Sequence, residues 1–240
     1  MKYAIIYRCC DAEMDANEFK HIRPHWFDKR KCFQSILISS LNASCESELI
    51  ILHDGVTGGL HEYISRKSSV CCKMRNVEYF SNERSLVETF KIADDLFAAG
   101  TDVVYFAEDD FLHSPNAVDV IIKGAQSFGL VTGFDHLDRY KRTDDVTRGH
   151  EFVAFSGKTN CHWRTAESTT CTWACDRDTW NKIRDDVYEY KLQDRELFRS
   201  LISKGVRLWT PIPGVSTTLD VTTFSPGVDW AGINNSITID

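Results

Sequence analysis

Two short, uninterrupted apolar runs constrain the fold of this chain most strongly. They are Glu48–His53 (ELIILH) and Asp102–Ala107 (DVVYFA), and neither of them alternates apolar with polar residues. Strands covered on both faces have this composition, whereas half-exposed strands alternate. Between the runs lies Ser85–Ala99, in which apolar residues recur at helical spacing. Strands that alternate with helices predict a mostly parallel sheet with helices on both of its faces.

The same alternation continues along the chain. Further predicted strands are Tyr3–Tyr7, Val77–Phe80, Leu130–Gly133, Glu151–Ser156, Thr170–Ala174 and Val206–Thr210. Further predicted helices are Lys31–Leu41, Pro115–Gly124, Arg177–Tyr190 and Asp194–Lys204. Ser85 is the expected N-cap of its helix, and the tail from Pro211 is expected to be irregular. We therefore expect one α/β domain over residues 1–240, with halves 1–135 and 136–240 and a small antiparallel part in the second half.

Composition excludes several classes of protein. The 240 residues carry a net charge of −7, which argues against a non-specific nucleic-acid coat. No apolar run approaches the roughly 20 residues of a membrane span, and the N-terminus reads as a strand rather than a signal peptide. Nine cysteines in a chain without a signal peptide indicate reduced thiols. A zinc site at Cys161, His162, Cys171 and Cys175 is a weaker alternative, because its spacing is unlike that of structural zinc sites.

Charged residues follow three of the predicted strands. Arg8 follows the first strand, Asp54 the second, and Glu108, Asp109 and Asp110 the fourth. In an open parallel sheet, ligands bind beyond the carboxyl ends of the strands. Adjacent carboxylates repel one another, and Mg²⁺ or Mn²⁺ takes one or two carboxylates together with substrate phosphates. The three acids, which we call the acidic triplet, therefore indicate a metal site, although capping of a helix N-terminus also explains them.

Strand–Asp54, followed by the mid-chain segment YFAEDDF, resembles the nucleotide-sugar half of the GT-A glycosyltransferases. The resemblance is greatest to family 2-like enzymes of bacterial and bacteriophage type. It implies a GT-A, Rossmann-like fold with Mn²⁺ or Mg²⁺ held by Asp110 and Glu108. It also implies that Arg8, Asp54, Glu108 and Asp109 contact a nucleotide-diphosphate sugar, for which a UDP-sugar is the first expectation.

The second half of the chain extends this resemblance. The segment LQDRELFRSL is similar to the start of a late helix that carries an acid beside the acceptor, which points to Asp194 as the catalytic base. Glu196 is the alternative acid, and ordinary helix capping is the structural alternative. In some related sequences a histidine follows "ST" in the tail and could complete a metal shell; this chain has Thr218 there.

Basic and aromatic residues supply candidates for acceptor binding. Residues 20–31 (KHIRPHWFDKRK) contain five Lys/Arg and two His, and are expected either to neutralise phosphate or to be a solvated loop. A second basic run begins at Arg139, next to Tyr140, and the two runs could flank DNA. Thr172 and Trp173 are candidate acceptor contacts, although a large aromatic side chain is more often part of a core.

The leading hypothesis is a metal-dependent glycosyltransferase whose acceptor could be a hydroxymethylated base in phage DNA. It would work in the cytoplasm, which would be the host's if the protein is viral. A nucleotidyltransferase is the first alternative, but such enzymes usually carry a Gly-rich loop after the first strand, and RCCDAEMD contains no glycine. A non-catalytic carbohydrate-binding domain is the second alternative, and it would not need Asp194.

Overall fold

The computed structural model describes residues 1–12, 22–45, 47–55, 57–68, 72–140 and 152–239. The strands are β1 (Tyr3–Cys9), β2 (Ser47–Asp54), β3 (Cys72–Val77), β4 (Val103–Glu108), β5 (Phe111–His113), β6 (Leu130–Val131), β7 (Val153–Ser156), β8 (Cys161–Ala166), β9 (Trp173–Asp176), β10 (Leu208–Ile212) and β11 (Ser216–Thr218). The helices are α1 (Lys29–Leu41), α2 (Gly59–Ser68), α3 (Asn82–Ala98), α4 (Ala117–Phe128), α5 (Arg177–Tyr190), α6 (Asp194–Ser203) and α7 (Trp230–Ser236), with a 3₁₀ helix at Leu137–Tyr140.

Nine strands form one sheet in the order β3-β2-β1-β4-β9-β6-β10-β8-β7, and β5 pairs with β11 in a small antiparallel sheet. Strands β1 to β4 are parallel, and within the large sheet only β8 and β9 run against the others. The expected α/β architecture with a mostly parallel sheet is confirmed. Because β1 lies between β2 and β4, Arg8 pairs in register with Leu52 on one side and Glu108 on the other. The charged residues that end these three strands therefore meet at the carboxyl end of the parallel strands, which we call the site edge of the sheet.

Alternate residues of the central strands feed two separate cores. On one face, Ile5 and Tyr105 pack with helices α1, α2 and α4. On the other face, Ile6 and Phe106 pack with α3, α5 and α6. Burying a side chain of this size contributes about 1.5–3 kcal/mol. Helices therefore cover both faces of the sheet and bury its side chains there, as the uninterrupted apolar runs predicted.

Helix α4 continues past its predicted end at Gly124, to Phe128. Gly124 lies inside the helix, and the Trp163 ring packs against its backbone. A β-carbon at this position would stand 2.3 Å from the ring. The glycine therefore serves a close approach of helix and ring and does not end the helix.

The third predicted strand was misplaced. The structure has it at Cys72–Val77, and residues 78–80 form the turn that follows. This strand forms one edge of the sheet and carries Lys73 and Arg75 exposed to solvent. It therefore lacks the apolar signature of a covered strand.

Two further predictions were wrong at the ends of elements. Helix α3 begins after Ser81, whose side chain accepts a hydrogen bond from the Arg84 N–H; Ser85, the predicted cap, is buried one turn into the helix. The tail predicted to be irregular contains β11 and α7. Asp229 caps α7, and Trp230 packs with Leu112 and Leu219 in a third small core.

Within the described part of the chain, no helix combines the length and apolar character needed to cross a bilayer. The eight cysteines described there are all free thiols.

Candidate functional site

The ion pair between Arg8 and Glu108 joins the ends of β1 and β4. The Arg8 guanidinium donates to the Glu108 carboxylate, and also to the Asn82 carbonyl (3.0 Å) and the Ser85 hydroxyl (3.2 Å) of α3. Both side chains are mostly covered, at 12% and 21% exposure. Burial raises the pKa of Glu108, and the Arg8 charge opposes that rise. Arg8 therefore ties two strands to the start of a helix and neutralises the first acid of the triplet.

Lys29, the first residue of α1, neutralises the second acid. Its ammonium group donates to Asp109 Oδ2 at 2.9 Å and to the carbonyls of Cys10 and Ala12, each at 2.9 Å. The Cys10 N–H also donates to Asp109 Oδ2, at 2.9 Å. An ammonium group has three donors, so all the hydrogen-bonding capacity of Lys29 is used within the chain.

Arg23 neutralises the third acid. Its Nη2 donates to Asp110 Oδ2 at 3.0 Å, and its Nη1 donates to the Leu219 carbonyl at 3.0 Å. The Thr218 hydroxyl donates to the same Asp110 oxygen at 3.3 Å. Position 218, at which the resemblance allows a histidine, therefore contacts Asp110 with a neutral hydroxyl. The guanidinium bridges the acid and the tail.

The acidic triplet, as it is arranged, does not fit a ready-made metal site. Among the described residues, no three His, Cys, Asp or Glu side chains converge on a point that could hold a metal ion. Each acid of the triplet has its own basic partner, and the charges of the six groups cancel. Mn²⁺ or Mg²⁺ at Asp110 and Glu108 would have to displace or repel Arg23 and Arg8. The metal predicted from the sequence stays a prediction.

Asp54, at the end of β2, fixes the turn after β3. Its carboxylate accepts hydrogen bonds from the N–H groups of Tyr79 (2.8 Å), Phe80 (2.9 Å) and Ser81 (3.2 Å). Phe80 is 77% exposed and has φ of 47°, a left-handed conformation that is unusual for an aromatic residue. Three hydrogen bonds to one carboxylate hold the backbone of this turn, and the Phe80 ring extends from it into solvent.

Asp194 is the first residue of α6 and lies within the electrostatic reach of the triplet. Burial, reinforced by the Glu108 charge, raises the pKa of Asp194 to about 8. Gln193 occupies the N-cap position without a capping side-chain bond, and Asp194 instead accepts a hydrogen bond from the Cys171 thiol at 3.6 Å. Asp194 is thus not the N-cap that the structural alternative proposed. It is a carboxyl group poised to exchange a proton near neutral pH.

The three candidate acceptor contacts are enclosed in protein. Trp173 is 2% exposed, and its ring lies 4.5 Å from that of Phe106. Thr172 is fully buried on the segment that leads into β9. Arg139 is 7% exposed, and its guanidinium donates to the carbonyls of Phe134 (2.8 Å) and Ser168. These contacts give Trp173 a packing role and Arg139 a bracing role, whereas the buried Thr172 hydroxyl has no hydrogen-bond partner among the described residues. Acceptor binding by the three residues stays a prediction.

The basic residues at 22–31 fold back onto the chain. Arg23 and Lys29 pair with the triplet, Arg30 pairs with Asp28 at 2.6 Å, and Lys31 donates to the Asn234 carbonyl at 3.0 Å. Arg23, Lys29 and Lys31 therefore contact distant parts of the chain, whereas Arg30 is 49% exposed. Lys20 and His21, and the remainder of the second basic run, Lys141, Arg142 and Arg148, lie outside the described residues.

Sequence reasoning missed two features of the site edge. It anticipated Arg8, the basic run and the acidic triplet, but not that Arg8, Lys29 and Arg23 each pair with one acid of the triplet, because the partners lie far apart in the chain. It also missed Phe80, which was assigned to a strand; no sequence signal marks an aromatic residue held with positive φ.

Comparison with known proteins finds similarity in the fold but none in the sequence. The sequence matches no known family profile and no curated protein. The fold is similar to two crystal structures of TarS from S. aureus, a GT-A-type glycosyltransferase. The first, of TarS 1–349, superposes with a TM-score of 0.52 at 12% identity over 91% of this chain and 60% of that one. The second gives 0.51 at 12% identity over 91% of this chain and 36% of that one, so this chain spans less than two thirds of either structure. The protein has a GT-A-like fold.

Proposed function

We propose that the protein is a glycosyltransferase that moves a sugar from a nucleotide-diphosphate sugar to an acceptor hydroxyl. The observation that carries the proposal is the placement of Asp194 at the start of α6, where the charge of Glu108 at the end of β4 helps to raise its pKa. A transferase of this kind needs a base on the acceptor side and a charged cradle for the diphosphate. The site edge of the sheet and α6 supply candidates for both.

Asp194 acts as the base in this proposal. The ionised Asp194 carboxylate takes the proton of the acceptor hydroxyl, and the hydroxyl oxygen forms a bond to the anomeric carbon. The bond between that carbon and the diphosphate oxygen breaks, and the nucleoside diphosphate leaves with the electron pair. A base whose pKa is raised toward working pH is a stronger proton acceptor than an ordinary aspartate. A direct displacement of this form inverts the anomeric configuration.

The nucleoside of the donor lies over Asp54 and Phe80 in this proposal. Three of the roughly four lone-pair sites of the Asp54 carboxylate are used by backbone N–H groups, which leaves one acceptor site for a base. The exposed Phe80 ring offers a stacking surface for the base. Uracil is the base we test first, since the resemblance points to UDP-sugars.

The acceptor approaches from the side of α6 and the Cys171 segment. A hydroxymethylated base in DNA, a protein hydroxyl and a glycan are the acceptors to compare. DNA enters the comparison because of the phage-type resemblance.

The test is a screen of nucleotide-sugar hydrolysis and radiolabelled sugar transfer, run with and without Mn²⁺ or Mg²⁺. The wild type is expected to hydrolyse one donor slowly and to transfer its sugar to one acceptor class. Asp194→Asn is expected to transfer sugar about 10²- to 10⁴-fold more slowly than the wild type, because a general base typically contributes a factor of this size to the rate. Asp178→Asn, an exposed first-turn acid of α5, is the matched control. Binding without turnover, or an Asp194→Asn variant as active as the wild type, would contradict the proposal.

Glu196→Gln separates the two acids of α6. Glu196 lies on the exposed side of the first turn of that helix. We expect this variant to keep most of the activity. A loss in Glu196→Gln with full activity in Asp194→Asn would transfer the role of base to Glu196.

A further inference from the structure

Arg23, Lys29 and Arg8 differ in how much hydrogen-bonding capacity they have left. Lys29 uses its three donors on Asp109 and two carbonyls. Arg8 is 12% exposed and divides its donors among Glu108, Asn82 and Ser85. Arg23 is 28% exposed and makes one hydrogen bond to Asp110 and one to the Leu219 carbonyl.

Among the described residues at these strand ends, Arg23 is the most exposed of the three cations and makes the fewest hydrogen bonds. A guanidinium has five N–H groups in one plane, and two of them are engaged here. The guanidinium carbon lies over the Phe27 ring, 4.7 Å from its centroid, and 28% of the side chain remains exposed. An edge-on guanidinium is the shape that binds phosphate oxygens in pairs.

The position of Arg23 also conflicts with a metal. The guanidinium bridges Asp110 and the tail at Leu219, between the acid and the segment where the resemblance would place a further ligand. The tail offers Asp110 the Thr218 hydroxyl, a weak ligand compared with a carboxylate or imidazole. A divalent cation on Asp110 would meet a fixed positive charge.

We propose that Arg23 is the diphosphate-binding cation of this protein and takes the place of a divalent metal ion. The proposal rests on the function proposed above. Asp110 and Thr218 then act as positioning residues: they hold the guanidinium at the end of β4, and its unused N–H groups face the diphosphate. The positive charge that stabilises the departing diphosphate is part of the chain.

The test uses inorganic pyrophosphate, the part shared by all nucleotide-diphosphate donors, and measures its binding by calorimetry in EDTA. The wild type is expected to bind without metal. Arg23→Gln is expected to bind at least about tenfold more weakly, as for loss of a charge-assisted pair. The matched control is Arg30→Gln, which removes a 49% exposed guanidinium of the same segment and should leave binding unchanged. Wild-type binding that requires Mn²⁺, or equal binding by Arg23→Gln, overturns the proposal.

Arg23→Lys decides the question if Arg23→Gln does not fold. A lysine keeps the charge but cannot donate in pairs from a plane, so several-fold weaker binding in EDTA is expected, and binding equal to the wild type overturns the proposal. Electron paramagnetic resonance with Mn²⁺ alone supplies a readout that does not depend on activity. Little Mn²⁺ uptake is expected for the wild type, and tight uptake by the wild type overturns the proposal. If hydrolysis that depends on both Mn²⁺ and Asp194 is found, the role of Arg23 is wrong while the transferase proposal stands.

Discussion

The Cys171 thiol donates a hydrogen bond to the Asp194 carboxylate, with Sγ and Oδ1 3.6 Å apart. A thiol is a weak donor, and it does little to compensate a carboxylate for lost water. Burial, with the Glu108 charge nearby, accordingly raises the pKa of Asp194 to about 8. Two consequences, for rate and for stability, can be measured separately.

The transfer rate is expected to depend on the ionisation of Asp194. The base form of this group appears as pH rises through about 8, so the rate should climb about tenfold per unit from pH 6 and level off above pH 8. The measurement is the initial rate of sugar transfer under single-turnover conditions. A rate that is flat between pH 6 and 9 would show that Asp194 does not titrate in the reaction.

The same group is expected to reduce stability at alkaline pH. The folded-state pKa of Asp194 lies above its unfolded value, so between about pH 4 and 8 the folded protein holds a proton that the unfolded chain has released. Stability from this source therefore falls as pH rises through that window. Asp194→Asn cannot ionise, so its Tm should exceed that of the wild type at pH 9 by at least about 2 °C, with a smaller difference at pH 5.

Comparing the Tm difference at pH 5 and pH 9 separates the effect of ionisation from any effect of the asparagine amide on packing. A Tm difference of the same size at pH 5 and pH 9 would contradict the assigned pKa, since an effect of shape does not change with pH.

Replacing one partner of the Arg8–Glu108 pair is expected to lower the free energy of unfolding more than replacing both partners. Arg8→Met leaves a covered carboxylate without its partner, which typically costs about 3–5 kcal/mol of unfolding free energy. Adding Glu108→Gln should recover part of that loss, with a coupling of about 1–3 kcal/mol. Denaturant unfolding of the two single variants and the double variant measures this coupling, with Arg84→Met, an exposed residue of α3, as control. Additive losses would mean that the two side chains do not interact.

Phe80 is expected to serve donor binding at the expense of stability. Holding an aromatic residue at φ of 47° costs about 1–2 kcal/mol, and asparagine tolerates this conformation better. Phe80→Asn should therefore unfold at equal or higher denaturant concentration than the wild type. It should also raise the donor KM about tenfold, since stacking on one base is worth about 1–3 kcal/mol.

Phe155→Asn is the matched control, because it removes a 58% exposed ring from β7 at the opposite end of the sheet. It should leave the donor KM unchanged. An unchanged KM in Phe80→Asn would rule out the stacking role.

The sequence predicted those parts of the fold that are governed by burial. Strands β2 and β4 are apolar because helices cover both of their faces, and helix α5 has the predicted bounds. Strand β3 could not be found in the same way, because a solvated edge strand such as CKMRNV carries polar side chains. Its position depends on pairing with β2 and on the Asp54 turn, which are tertiary contacts.

The candidate site was predictable in its parts but not in its pairings. The residues on both sides of the Arg23–Asp110 pair drew attention in the sequence, the first as phosphate neutralisers and the second as a metal site. Their contact spans 87 positions of the chain, and local pattern carries no information about such a contact. The raised pKa of Asp194 was hidden for the same reason, since it arises from burial and from Glu108 on a different element.

The most direct test of the account is a crystal structure of the protein soaked with the nucleotide-diphosphate sugar that the hydrolysis screen selects. The account predicts the diphosphate at the carboxyl end of β4 beside Arg23, the base over Phe80 and the anomeric carbon facing Asp194. A donor bound elsewhere on the protein, or a strand end left empty at saturating donor, would contradict it.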